Sequence, residues 1–149
     1  MTSPDGDSPT DAVEILIVDD NPQNLKLARV VLEREGYAVR TANDAHAALQ
    51  LLESSVPRLI LMDLQLPGLD GLSLTTRLKN DPRYAQVTVI ALTAYAMKGD
   101  EEKALAAGCD GYLAKPVDID ILVRMVADCL ARQGHPITER NPRRGSRDA

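Results

Sequence analysis

The chain has 149 residues, 44% of them hydrophobic, which is enough for one domain with a single core and tails. Its net charge of −5 argues against a general nucleic-acid binder, and no stretch approaches the roughly 18 uninterrupted apolar residues of a membrane span. Phe and Trp are absent, so the core must be aliphatic; Cys109 and Cys129 lack metal-ligand spacing and a disulfide framework and read as two buried free thiols, and His46 and His135 form no metal motif.

Met1 to Ala12 is rich in Ser, Thr, Pro, Gly and Asp, has no apolar period, and is expected to be a disordered acidic tail. It lacks the basic and apolar regions of a signal peptide, so a cytoplasmic protein is expected. Ile15 to Val18 is an apolar strand that stops at Asp19-Asp20. Asn21 can cap the following helix and Pro22 suits its first turn; Leu25, Ala28, Val31 and Leu32 form its apolar stripe, and Gly36 ends it in a left-handed C-cap. Tyr37 to Ala42 has mixed polarity, which predicts an edge strand. Ala45, Ala48, Leu49 and Leu52 recur at helical spacing, and Val56-Pro57 closes that helix.

Leu59 to Met62 is a continuous apolar run, the pattern of a strand buried on both faces of a parallel sheet. It stops at Asp63, a carboxylate that must be partnered or exposed because burying it alone would cost several kcal/mol. Pro67-Gly68 and Asp70-Gly71 force a loop; Leu72 to Lys79 is a less cleanly amphipathic helix, stopped by Asn80-Asp81-Pro82. Val87 to Leu92 is a further apolar strand ending at Thr93. An Ala-rich helix over about Lys98 to Ala107, ended by Gly108, is expected to be the least firmly held. Tyr112 to Ala114 is the last strand and ends at Lys115-Pro116. Asp118 can cap a final helix whose Ile119, Leu122, Val123, Val126 and Leu130 form one stripe. From Arg132 onward five arginines against Glu139 and Asp148 leave +3, a basic tail expected to be disordered. The expected organisation is one domain over 13–132 between tails 1–12 and 133–149.

Five alternations of strand and helix predict a doubly wound parallel α/β sheet with right-handed crossovers, whose ligands bind beyond the carboxyl ends of the strands. Those ends carry Asp19 and Asp20, Asp63, Thr93 and Lys115, all brought to one rim. Taken singly, Asp63 would be a strand-end cap, Asp19-Asp20 a helix-start pair, Thr93 an ordinary β-branched strand residue, Tyr112 core packing and Lys115 a solvated turn lysine. Together they describe chemistry. Crowded carboxylates raise one another's pKa unless neutralised; Lys115 supplies one charge, and an all-oxygen site with waters favours Mg²⁺ over zinc for the rest. A carboxylate in such a pocket can accept a phosphoryl group by in-line attack, and Thr93 can donate its hydroxyl to a phosphoryl oxygen.

Val18-Asp19-Asp20-Asn21, Leu61-Met62-Asp63 with Leu66-Pro67-Gly68, Ala91-Leu92-Thr93-Ala94 and Gly111-Tyr112-Leu113-Ala114-Lys115-Pro116 together resemble the signature of the response-regulator receiver domain of two-component signalling, over about Glu14 to Ala131. The resemblance implies the flavodoxin-like strand order 2-1-3-4-5. It implies Asp63 as phosphoacceptor; Asp20, Asp63 and the Gln65 backbone carbonyl as Mg²⁺ ligands; and Asp19 acting through water. It implies Thr93 as the switch hydroxyl beside the Ala94 amide, Lys115 as the phosphate-pairing cation, Tyr112 as the aromatic switch residue, and a cis peptide at Lys115-Pro116. The stretch Ala94 to Glu102 with Gly108-Cys109 is similar to small stand-alone receivers and to those of hybrid kinases. Too few residues follow Arg132 for an effector domain, so a stand-alone receiver is expected. Its partners would be a histidine kinase or histidine phosphotransferase and a downstream protein, such as a kinase regulated in return, with neither nucleic acid nor membrane involved.

Three other classes compete, the weakest a nucleic-acid binder acting through the basic tail from Gly134 to Ala149. An Mg²⁺-dependent aspartate-nucleophile phosphatase would want a second acid two residues after the nucleophile, where this chain has Gln65. A phosphate-independent interaction module would have no use for the filled rim. Tyr95 and Met97 are open between partner contact and packing.

Overall fold

The computed structural model describes residues 13–66, 70–94 and 99–134. The expectations for both tails, for Pro67-Gly68, and for Tyr95, Met97 and Lys98 lie outside these residues. The elements run in the order β1 (Glu14–Val18), α1 (Pro22–Arg34), β2 (Ala38–Ala42), α2 (Ala45–Ser54), β3 (Leu59–Asp63), α3 (Gly71–Lys79), β4 (Thr88–Thr93), α4 (Asp100–Ala106), β5 (Gly111–Ala114) and α5 (Ile119–Gly134).

All strand pairs are parallel and the order is β2-β1-β3-β4-β5, with β2 at one edge as its mixed polarity predicts. Every residue of β3 and β4 is buried, consistent with a sheet covered on both faces. One face packs Leu16, Ile60, Met62 and Val89 against α2 and α3, with Ala104 of α4 added; the other packs Ile15, Ile17, Leu61 and Ile90 against α1 and α5. The alternation of side chains along each strand makes both cores from one sheet. Edge strand β2 is clamped by Arg40, which pairs with Glu14 at 2.9 Å and donates to the Ser55 carbonyl at 2.9 Å.

Local chemistry sets the helix ends. The Asn21 side chain accepts from the Gln23 and Asn24 N–H groups with Pro22 just inside α1, and Gly36 turns the chain out of α1 at φ +95°. Asp118 accepts from the Ile121 N–H at 3.1 Å at the start of α5. The stripe of α5 departs from the predicted one. Leu122, Val126, Cys129 and Leu130 are buried, whereas Ile119 is 42% exposed and Val123 half-buried. Ile119 and Val123 line a groove between α5 and α1 together with Leu27 and Val30, and Ile119 also lines a cavity with Ile17, Leu61 and Leu92 of the sheet. Cys109 and Cys129 are buried free thiols, as expected, and burial pushes the Cys109 thiol pKa up.

Candidate functional site

The carboxyl ends of β1, β3, β4 and β5 converge. The Asp19 N–H donates to the Ala42 carbonyl at 3.1 Å, holding the residue to the sheet as the chain leaves β1. Its carboxylate accepts from the Asn21 N–H at 2.9 Å and the Asn24 side chain at 3.4 Å. Asp63, the last residue of β3, accepts from the Gln65 N–H at 2.9 Å. Lys115 Nζ spans the two carboxylates, 3.0 Å from Asp19 Oδ2 and 3.2 Å from Asp63 Oδ2; both aspartates are 1% exposed. The Lys115 backbone N–H donates to the Thr93 carbonyl at 2.7 Å, so the end of β4 fixes where the lysine departs, and the Lys115-Pro116 peptide is cis.

Asp20 is exposed, and its carboxylate joins those of Asp19 and Asp63 with one oxygen from each lying within 4.8 Å of the others. Three acids therefore face one ammonium group. Burial, and then the Asp19 charge, raise the Asp63 pKa against the lowering effects of the Gln65 N–H and Lys115. Burial works against the charge on Lys115, yet its hydrogen bond and ion pair with Asp19, and those with Asp63, leave its pKa raised. A compact all-oxygen cluster left short of positive charge fits a hard dication such as Mg²⁺.

Thr93 is fully buried at the end of β4, on the sheet face shared with Val89 and Ala91. The Gln65 side chain reaches it: Nε2 donates to Thr93 Oγ1 at 3.1 Å while Oε1 accepts from the Ala94 N–H at 3.1 Å. Tyr112 stands opposite Ala91 in register and packs half-buried against the core on that same face. All eight residues singled out from the sequence thus lie on β-strands or at their carboxyl ends. Asp19, Asp20, Asp63 and Lys115 meet directly; Thr93 and Ala94 are tied in through Gln65.

Three contributors escape sequence reasoning. Asn24 steadies Asp19, but its helix position alone does not distinguish it. The Gln65 side chain bridges to β4, which no local pattern signals. Gly71 begins α3 directly against the acidic strand end: a Cβ there would sit 2.2 Å from the Asp63 carbonyl oxygen, so only glycine lets the helix approach.

A doubly wound domain with an acidic pocket closed by a lysine at its carboxyl rim belongs to the class of open α/β sheets whose sites lie beyond the strand ends. More closely, this chain belongs to the response regulator receiver domain family, whose model matches residues 15–127. It is therefore a CheY-like receiver of two-component signalling, a switch domain. It is 43% identical to the polar-differentiation response regulator DivK of Brucella anthropi over 117 residues, 78% of this chain and 94% of that one. DivK of Brucella ovis is 40% identical over 116 residues, with the same coverage. Among solved structures, a CheY-like receiver domain protein from Methanospirillum hungatei superposes with a TM-score of 0.77 at 32% identity, covering 83% of this chain and 97% of that one. The receiver domain of a signal transduction histidine kinase from Syntrophus aciditrophicus does so with a TM-score of 0.76 at 31% identity, covering 88% and 98%. Among the described residues no helix is long and apolar enough to cross a membrane.

Proposed function

We propose that this chain is a DivK-like, stand-alone response regulator that accepts a phosphoryl group on Asp63 from a histidine kinase or histidine phosphotransferase, in a Mg²⁺-dependent reaction, and signals by changing its affinity for partners. The observation that carries this reading is the bridge of Lys115 to both Asp19 and Asp63 inside a cluster of three carboxylates. Phosphoryl transfer asks chiefly for positioning and electrostatic balance, and this rim offers both.

In the proposed step an Asp63 carboxylate oxygen bonds to phosphorus as the donor's P–N bond breaks, its electron pair leaving with the imidazole. Lys115 stays beside the acceptor to pair with the incoming phosphoryl oxygens. Asp20, Asp63 and the Gln65 backbone carbonyl, with Asp19 through water, would hold Mg²⁺, which when bound supplies the remaining positive charge. Thr93 and the Ala94 N–H would turn to the phosphoryl group, and Tyr112, on the sheet face of Thr93, would repack and alter the surface of α4, β5 and α5. Such a shift works through differential affinity of a partner for the two states, and a few kcal/mol suffices. The chain acts on itself and not as a multiple-turnover enzyme, and on this reading it works in the cytoplasm.

The test uses acetyl phosphate with Mg²⁺ and intact-protein mass spectrometry. The wild type should gain one phosphoryl group and Asp63→Asn none. Full labelling of the variant would remove Asp63 from its role.

A further inference from the structure

Gln65 lies two residues beyond Asp63 and makes three bonds at the rim. Its backbone N–H donates to Asp63 Oδ1 at 2.9 Å. Its side-chain Nε2 donates to Thr93 Oγ1 at 3.1 Å, and its Oε1 accepts from the Ala94 N–H at 3.1 Å. One planar carboxamide therefore engages the hydroxyl and the adjacent backbone N–H at the end of β4. On the phosphoacceptor reading, on which this inference rests, those are the two donors a phosphoryl group on Asp63 would need.

The competition is specific to atoms. A backbone N–H offers one proton, so the Ala94 amide cannot serve Oε1 and a phosphoryl oxygen with full strength at once. Thr93 accepts from Nε2 and keeps its own proton, but while it does so the hydroxyl is oriented by the carboxamide. We infer that Gln65 is a latch: a positioning residue that holds Thr93 and the Ala94 N–H in the resting chain and must release that N–H before a phosphoryl oxygen can take it.

The balance of forces makes the latch a tuning device and not a block. A charged phosphoryl oxygen forms a stronger hydrogen bond than a neutral amide oxygen and displaces it. Gln65 is exposed, so the freed carboxamide is hydrated as soon as it lets go. What the latch subtracts is the net worth of one or two solvent-accessible neutral hydrogen bonds, which corresponds to about 3- to 10-fold in apparent affinity for the phosphoryl group.

The experiment compares the wild-type chain with Q65A and Q65M, the second nearly isosteric with glutamine but unable to make either bond. Beryllofluoride with Mg²⁺, a stable mimic of an aspartyl phosphate, is titrated by calorimetry, and hydrogen exchange at the Ala94 amide is followed by NMR in the ligand-free proteins. The latch requires about 3- to 10-fold tighter beryllofluoride binding in both variants and faster Ala94 exchange. Unchanged or weaker binding in both variants overturns it, and so does tightening in Q65A alone, which would trace the effect to bulk. Failure of all three proteins to form a beryllofluoride complex overturns the phosphoacceptor reading instead; Ala94 exchange then still decides whether the latch exists, and equal rates would sink it.

Discussion

Replacing Asp63 by asparagine should stabilise the resting chain even though it removes the proposed acceptor. Asp63 is 1% exposed and shares a cluster in which carboxylate oxygens lie within 4.8 Å, while Lys115 Nζ stands 3.2 Å away. With an effective dielectric near 20, each repulsion at 4.8 Å costs about 3.5 kcal/mol and the attraction at 3.2 Å returns about 5 kcal/mol. The Asp19 repulsion offsets most of the Lys115 attraction, and desolvating the Asp63 charge, at several kcal/mol, turns the balance into a net cost of about 2 kcal/mol. Exposed Asp20 adds only a screened repulsion. Burial foremost, and then the Asp19 charge, raise the Asp63 pKa. Asparagine keeps an oxygen to accept the Gln65 N–H, and Lys115 keeps its 3.0 Å partner Asp19. A gain of about 2 kcal/mol, or roughly 5–10 °C in Tm for a domain of this size, is expected in EDTA at neutral pH.

The pH dependence has a definite sign. The folded pKa of Asp63 lies above the unfolded value of 3.8, so the cost of its charge is fully present above the folded pKa. As pH falls from there toward 3.8 the wild type protonates and the advantage of the variant disappears. Saturating Mg²⁺ should also close the gap, since a ligand present at a hundred times its Kd stabilises the folded state by about 2.7 kcal/mol and the variant lacks a full ligand set. Urea denaturation followed by circular dichroism, with EDTA or Mg²⁺ and across pH, measures all of this. A variant less stable than wild type in EDTA at neutral pH, or a gap that ignores both pH and Mg²⁺, would refute the electrostatic account.

Lys115→Met should cost about 3 kcal/mol, because it strands two nearly buried carboxylates without their ammonium partner. Since the folded Lys115 pKa is raised, the stability it contributes is complete below 10.5 and is lost as pH climbs through the folded value, so alkaline denaturation curves should fall more steeply for the wild type than for Lys115→Met. Gly71→Ala forces a Cβ to within 2.2 Å of the Asp63 carbonyl oxygen, and a loss of about 2 kcal/mol of unfolding free energy, read as a lower urea midpoint, together with weaker Mg²⁺ binding is expected. Thr93→Ala should still incorporate phosphate on Asp63 but uncouple the ring of Tyr112, so its NMR resonances should not shift on adding beryllofluoride with Mg²⁺; a wild-type shift would disprove the coupling.

Much of the framework was legible because its determinants are local. The apolar runs of β1, β3 and β4 and the mixed polarity of β2 predict a sheet buried on both faces with β2 at an edge, and β2 is at an edge, with β5 forming the other. Asn21, Asp118 and Gly36 announce helix ends through hydrogen bonds or a positive φ set within a few residues. Parallel winding then carries Asp19, Asp20, Asp63, Thr93 and Lys115 to one rim, since every strand of such a sheet ends on the same side.

What only the tertiary structure decided are relations between atoms far apart in the chain. Whether Lys115 meets one acid or two, how close α3 may come to Asp63, and how far Ile119 is covered depend on packing across elements. The span of Gln65 from Asp63 to Thr93 and Ala94 is of the same kind. Periodicity tells which way a side chain leaves the backbone and where a strand stops; hydrogen-bond partners and pKa shifts arise from distances of a few ångströms, which exist only once the layers have closed on one another.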